Sequence, residues 1–143
     1  MKKTFFYFIC LICCIVMFDS CCKCGRRSSA PLDLNAVSWK LIELNGKVVP
    51  NQNDIKKFTM IFSKDGEING RGDCNSYFGR YTTPNNGEIT ISPDGATKAM
   101  CPDIARETEF LEMMPMVRTF KIDGDILMLF NQDNKMIAAL KKI

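Results

Sequence analysis

Between residues 37 and 140, apolar side chains return at every second position in short runs, and turn residues close most of these runs. A period of two is that of a β-strand with one face buried. Val37, Trp39 and Leu41 alternate with Ser38 and Lys40, and Asn45-Gly46 follows as the dipeptide that accepts positive φ at both central positions of a two-residue hairpin. Phe58, Met60 and Phe62 alternate with Thr59, after which Asp65-Gly66 turns the chain into a segment over 67–83. Ile89 and Ile91 follow Asn86-Gly87 as a short strand; Phe120 and Ile122 precede Gly124; the run 126–130 is apolar on both faces, and 136–140 ends the pattern. Strands this short and this frequent predict a mainly β fold, an antiparallel barrel or sandwich.

One segment departs from the period of two. Over 103–114 the spacing of Ile104, Leu111 and Met114, with Val117 beyond and Phe110 beside them, predicts an amphipathic α-helix with these residues facing the core. Pro102 suits a first helical turn, and Asp103, Glu107 and Glu109 place negative charge toward the positive end of the helix dipole. Pro115 stops the helix near Met114. Met113, Met114 and Met116 are read as core filler rather than as an adaptable binding surface.

The chain has 143 residues and a formal net charge of +3, which becomes +2 once the first twenty residues are removed. That balance is too mild for nucleic acid, and the basic residues form no continuous stripe. Histidine is absent, which removes the commonest general base, the usual partner of a nucleophilic Ser or Cys, and the commonest zinc ligand. No catalytic, cofactor-binding or metal-binding residue is assigned. Asp123 and Asp125 flank Gly124 as a turn and lack the spacing of a calcium loop.

The N-terminus has the layout of an export signal. Lys2 and Lys3 precede an apolar run over 5–18, shorter than the roughly 18 or more apolar residues of a membrane span, and the run ends at Asp19-Ser20-Cys21. Ser20 before Cys21 resembles a bacterial lipobox, in which the cysteine is acylated and becomes the new N-terminus. An alternative is cleavage after Ser28-Ser29-Ala30, releasing a soluble product. The expected organisation is a signal peptide over 1–20, a lipid-anchored tether over 21–35 and one domain over 36–143, exported, anchored through Cys21 and facing the periplasm. Among the eight cysteines, only Cys74 and Cys101 lie in the domain. Two cysteines in an exported domain suggest a disulfide, the alternative being buried thiols that never meet.

The segment 70–81 (Gly-Arg-Gly-Asp-Cys-Asn-Ser-Tyr-Phe-Gly-Arg-Tyr), the segment 97–103 (Thr-Lys-Ala-Met-Cys-Pro-Asp) and Glu109-Phe110-Leu111 resemble the META or HslJ-like domain family, as does the opening Trp39, Leu41 and Asn45-Gly46. Two departures stand out: Asp73 replaces a Gly before Cys74, and Ala99-Met100 reverses a Met-Ala order before Cys101. The resemblance implies a small lipocalin-like antiparallel β-barrel with one helix, in a secreted or lipid-anchored bacterial protein whose two cysteines pair. It carries no catalytic residues. Trp39, Gly72, Asn75, Tyr77, Gly79 and Tyr81 are its structural motif, the glycines permitting close strand approach, a bulge or a bend. Asn75 is placed to bond neighbouring backbone. Arg71-Gly72-Asp73 also spells an adhesion tripeptide, read here as coincidence because it runs into the strand motif, Arg71 and Asp73 on one face and Gly72 on the other.

The expected function is that of a non-catalytic envelope lipoprotein domain, monomeric and without cofactor, that binds an envelope protein or supports envelope stress resistance. The alternative is a carrier of a small apolar ligand inside the barrel, although aromatics such as Trp39, Phe58, Phe62 and Phe78 could fill that interior instead. A thiol redox enzyme fits least, since Cys74 and Cys101 are too far apart for a Cys-X-X-Cys motif.

Overall fold

The computed structural model describes residues 34–35, 37–50, 53–100, 102 and 104–143. The export segment, Cys21, nearly all of the tether, Cys101 and Asp103 lie outside the described residues. Among the described residues nine strands form one antiparallel sheet: β1 (Ser38–Leu44), β2 (Lys47–Val48), β3 (Thr59–Phe62), β4 (Glu67–Arg71), β5 (Ser76–Thr82), β6 (Thr90–Ala96), β7 (Thr119–Asp123), β8 (Ile126–Phe130) and β9 (Met136–Lys142). Helix α1 (Ile104–Met113) runs into a single 3-10 turn, Met114–Met116, between β6 and β7.

The strand order is β6-β5-β4-β3-β1-β9-β8-β7, with β2 paired to β1. Consecutive strands β3 to β6 form one meander and β7 to β9 a second; β1 sits between β3 and β9 and joins the two, while the consecutive pairs β2/β3 and β6/β7 are not sheet neighbours. The sheet curls as a small lipocalin-like barrel. Its outer strands, β6 and β7, approach at one place, where the Ile89 N–H donates to the Arg118 carbonyl (2.9 Å) and the Phe120 N–H to the Gly87 carbonyl (2.8 Å). The 3-10 turn packs against β6 beside this point.

Local chemistry accounts for the turns. Asn45 (φ 49°) and Gly46 (φ 79°) are both left-handed, the pair of conformations that a two-residue hairpin needs to match strand twist. At Pro115 the helix tightens into the 3-10 turn instead of continuing, because proline has no N–H for the helical ladder.

The barrel interior is filled by side chains from nearly every strand. Trp39, Leu41, Met60, Phe62, Leu127, Leu129 and Leu140 have no exposed surface. From α1 and the turn after it, Phe110 and Met114 complete the layer. Phe110 meets Phe58 edge to face at 5.6 Å between ring centroids and Tyr77 at 5.8 Å, and Phe62 meets Tyr81 at 5.0 Å. Such crossings add about 0.5–1.5 kcal/mol each beyond the area they bury.

Four expectations from the sequence change. The segment over 67–83 is two strands, β4 and β5, separated by a tight turn at 72–75. Arg71 ends β4, and Gly72 and Asp73 belong to that turn, so the tripeptide is not continuous strand. The inward face of α1 is Glu107, Phe110 and Met113, continued by Met114 and Val117, while Ile104 is 46% exposed. Ile104 lies at the first turn, before the helix reaches the barrel, and Met116 faces outward beyond Pro115.

Candidate functional site

The motif residues converge on the turn between β4 and β5. Gly72 donates its N–H to the Asn75 carbonyl (2.7 Å) and accepts at its own carbonyl from the Phe58 N–H (3.0 Å). This geometry turns the N–H groups of Cys74 and Asn75 toward α1, where both donate to Glu107 Oε2, at 2.9 and 3.0 Å. The Asn75 carboxamide donates to Glu107 Oε1 at 2.6 Å. Glu107 is 2% exposed. No cation neutralises it among the ion pairs of the described residues; backbone and amide dipoles do so instead.

Burial by itself raises the Glu107 pKa. The N–H bonds of Asn75 and Cys74, the Asn75 carboxamide and the Asp73 N–H together outweigh it, and hold the carboxyl below its ordinary value. Space is as tight as the bonding. A Cβ on Gly72 would stand 2.6 Å from both Cγ and Oε2 of Glu107, so only glycine lets the helix carboxylate reach the turn.

Asn75 is spent on the fold as well. Its Oδ1 accepts from the Ala99 N–H (2.7 Å) and the Thr97 hydroxyl (2.9 Å), and its Nδ2 also donates to the Ala99 carbonyl (3.2 Å). The segment after β6 is thereby held beside the turn, with Cys74 Sγ 4.0 Å from the Ala99 carbonyl oxygen. Asp73 points away and pairs with Lys57 at 2.7 Å, a hydrogen bond and charge that raise the Lys57 pKa.

The other motif residues lie along the barrel wall. Trp39 Nε1–H donates to the Leu34 carbonyl (3.0 Å). The buried Tyr77 hydroxyl donates to the Thr59 carbonyl (2.7 Å), and burial pushes that phenol well above its usual pKa. Gly70 leaves room for this bond, since a Cβ there would stand 2.0 Å from the Thr59 oxygen. The Tyr81 hydroxyl donates to the Ser63 carbonyl (2.7 Å) and also meets the Asn35 side chain. At Gly79 the β5–β6 register shifts, and a Cβ would stand 2.4 Å from the Ser92 carbonyl oxygen.

Two buried ionisable groups escaped the sequence reading. Beyond its place near the helix dipole, Glu107 shares the stripe 107, 110, 114, 117, and a glutamate on an apolar stripe is the sequence signal of its burial. Lys40 is 5% exposed; its Nζ donates to the carbonyls of Asp54 and Lys57 (3.3 Å for the latter), tying down the loop before β3. Burial lowers its pKa, partly offset by the charge of Asp54. Strand alternation points Lys40 outward, so nothing in the sequence marks it as covered. Among the described residues no cluster of three His, Cys, Asp or Glu could hold a metal ion.

The family model of the META domain matches residues 32–142. The chain belongs to the META domain family. Solved structures similar to this META domain include a DUF4847 family protein from Bacteroides vulgatus, with TM-score 0.61 and 14% identity over 76% of this chain and 94% of that one. A protein from Burkholderia xenovorans has TM-score 0.60 and 18% identity over 77% of this chain and 83% of that one. A third solved protein has TM-score 0.53 and 22% identity over 73% and 87%. These likenesses concern the fold. No curated protein matches the sequence.

Proposed function

We propose that this META domain is a non-catalytic, monomeric binding module of the bacterial envelope, lipid-anchored through Cys21, facing the periplasm, and supporting envelope stress resistance by contact with a protein partner. The observation that carries the reading is the filling of the barrel. Trp39, Met60, Phe62, Phe110 and Leu140, each with no exposed surface, occupy the space that an apolar cargo would need. Recognition by the outer surface is the mode this packing supports. The polar motif residues support it too, because Glu107, Asn75 and Tyr77 spend their hydrogen bonds on the fold. The test is cross-linking in the native envelope followed by native mass spectrometry. A cross-linked protein without co-purifying lipid is the expected result; a lipid bound in stoichiometric amount would transfer the function to a carrier.

Anchoring and the disulfide belong to the same reading. With a palmitate analogue, the wild type takes up label and Cys21→Ala does not; an unlabelled wild type whose mature N-terminus is Pro31 would exclude the anchor. A Cys74–Cys101 disulfide is supported by Asn75, which holds both polar groups of the Ala99 backbone two residues before Cys101. The crosslink would close a loop whose chain-entropy contribution is on the order of 3–4 kcal/mol. Peptide mapping without reductant should yield the joined Cys74 and Cys101 peptides, and freely alkylated thiols would exclude the bond.

A further inference from the structure

The outer face of β4, β5 and β6 carries a concavity that the fold itself does not require. Alternation along β5 sends Tyr77, Gly79 and Tyr81 inward and leaves Phe78 and Arg80 outward. Register with β4 sets Asn69 opposite Phe78 and Glu67 opposite Arg80. On the other side the register slips: Gly79 pairs with Pro93 and Phe78 with Gly95, which leaves Asp94 as the extra residue of a bulge. Bulges re-aim side chains, and here the Asp94 carboxylate comes to 3.8 Å from Arg80 Nε. The Phe78 ring lies over Gly95, whose missing Cβ would stand 3.0 Å from the ring.

Together Glu67, Asn69, Phe78, Arg80 and Asp94 line a hollow of about 250 Å³. Phe78 is 59% exposed, an unusual position for a phenylalanine that has a core to join. The carboxamide of Asn69 and the carboxylate of Glu67 have no protein partner among the described residues. A flat apolar surface is thus ringed by an amide, two carboxylates and a guanidinium with hydrogen-bonding capacity to spare.

We propose that this hollow binds a neutral saccharide, one ring at a time. A pyranose presents an apolar C–H face, which the Phe78 ring can cover, and a rim of hydroxyls that each donate and accept. Glu67 and Asp94 accept, Arg80 donates, and Asn69 does both. The same set disfavours the other classes. Two carboxylates beside Arg80 repel a phosphate or an acidic peptide, and one ring is too little apolar surface for a lipid. The volume falls below the 300–1,000 Å³ that is usual for drug-sized ligands, which suits a single ring rather than a long enclosed chain.

Saturation-transfer difference NMR on the full chain, with N-acetylglucosamine and maltotriose as probes, tests the site. Transfer to the ring C–H protons of either sugar is expected, and Phe78→Ala should abolish it. Asn69→Ala removes one unpartnered amide without disturbing the Phe78–Gly95 contact, and should weaken binding about tenfold, the factor of one lost hydrogen bond. Thermal melting of both variants confirms that the domain is folded. Silence with both sugars, or transfer that survives unchanged in the two folded variants, would overturn the assignment.

Discussion

A single carboxylate connects the helix to the sheet. Glu107 gains three hydrogen bonds from Cys74 and Asn75 and, among the described residues, no countercharge, so its protonation removes acceptor capacity that the turn cannot replace. Its pKa is lower in the folded protein than in the unfolded chain. The stability linked to it is therefore complete above the unfolded value and is lost as the pH falls through the folded one. Glu107→Gln should lower stability at neutral pH by about 1–3 kcal/mol, because an NH2 group meets N–H donors that then lack an acceptor. The same substitution should flatten the acid limb of stability. Thermal melts of wild type and variant from neutral pH into the acid range check both, and an acid limb as steep in Glu107→Gln as in wild type would show that Glu107 does not set it.

Among the elements, the strands follow their periodicity closely and the connections do not. β1, β3, β7, β8 and β9 fall where alternation and turn dipeptides put them. The split of 67–83 into β4 and β5 is not legible in the sequence because Gly72-Asp73 belongs to a four-residue connection, 72–75, and not to a two-residue hairpin. Its shape depends on Asn75 and Glu107, the latter 32 residues away along the chain. The helix was placed within a residue of its ends, yet its buried face shifted, because Glu107 is drawn in by hydrogen bonds that hydrophobic spacing does not register. This element contact yields its own prediction. Gly72→Ala should destabilise by about 1–3 kcal/mol, the usual range for a side chain forced into filled space. Chemical denaturation measures that loss. Hydrogen exchange should show it as loosening of α1 against the 72–75 turn, and unchanged protection there would mean that the close approach does not govern docking.

The whole molecule depends on a core shared by both halves of the sheet. Trp39 stands on β1, between β3 and β9, and has no exposed surface. Trp39→Ala should cost about 3–5 kcal/mol, a large part of the total for a domain of this size. Trp39 is the one tryptophan of the chain, so its emission should be blue-shifted in the native state and move to longer wavelength on unfolding. A water-like maximum in the folded protein would contradict its burial. Period-two patterning cannot distinguish a barrel from a sandwich, because it says which side of a strand is buried and nothing about which strands meet. Here the decision rests on β1 bridging the two meanders and on the backbone bonds of Ile89 and Phe120, which bring β6 and β7 together.

What the sequence by itself determined is local: the strands and hairpin turns, the helix and its stop at Pro115, the identity of Trp39 and Leu41 as core, and the family motif. These depend on alternation, on positive φ at Asn45 and Gly46 and on the missing N–H of a proline, properties of residues a few positions apart. Tertiary structure alone decided the burial of Glu107 and Lys40, the closure beside β6, and the hollow around Phe78. Each is a meeting of segments distant in the chain, and the free energy of such a meeting depends on what is brought opposite a residue. No pattern along the chain records that.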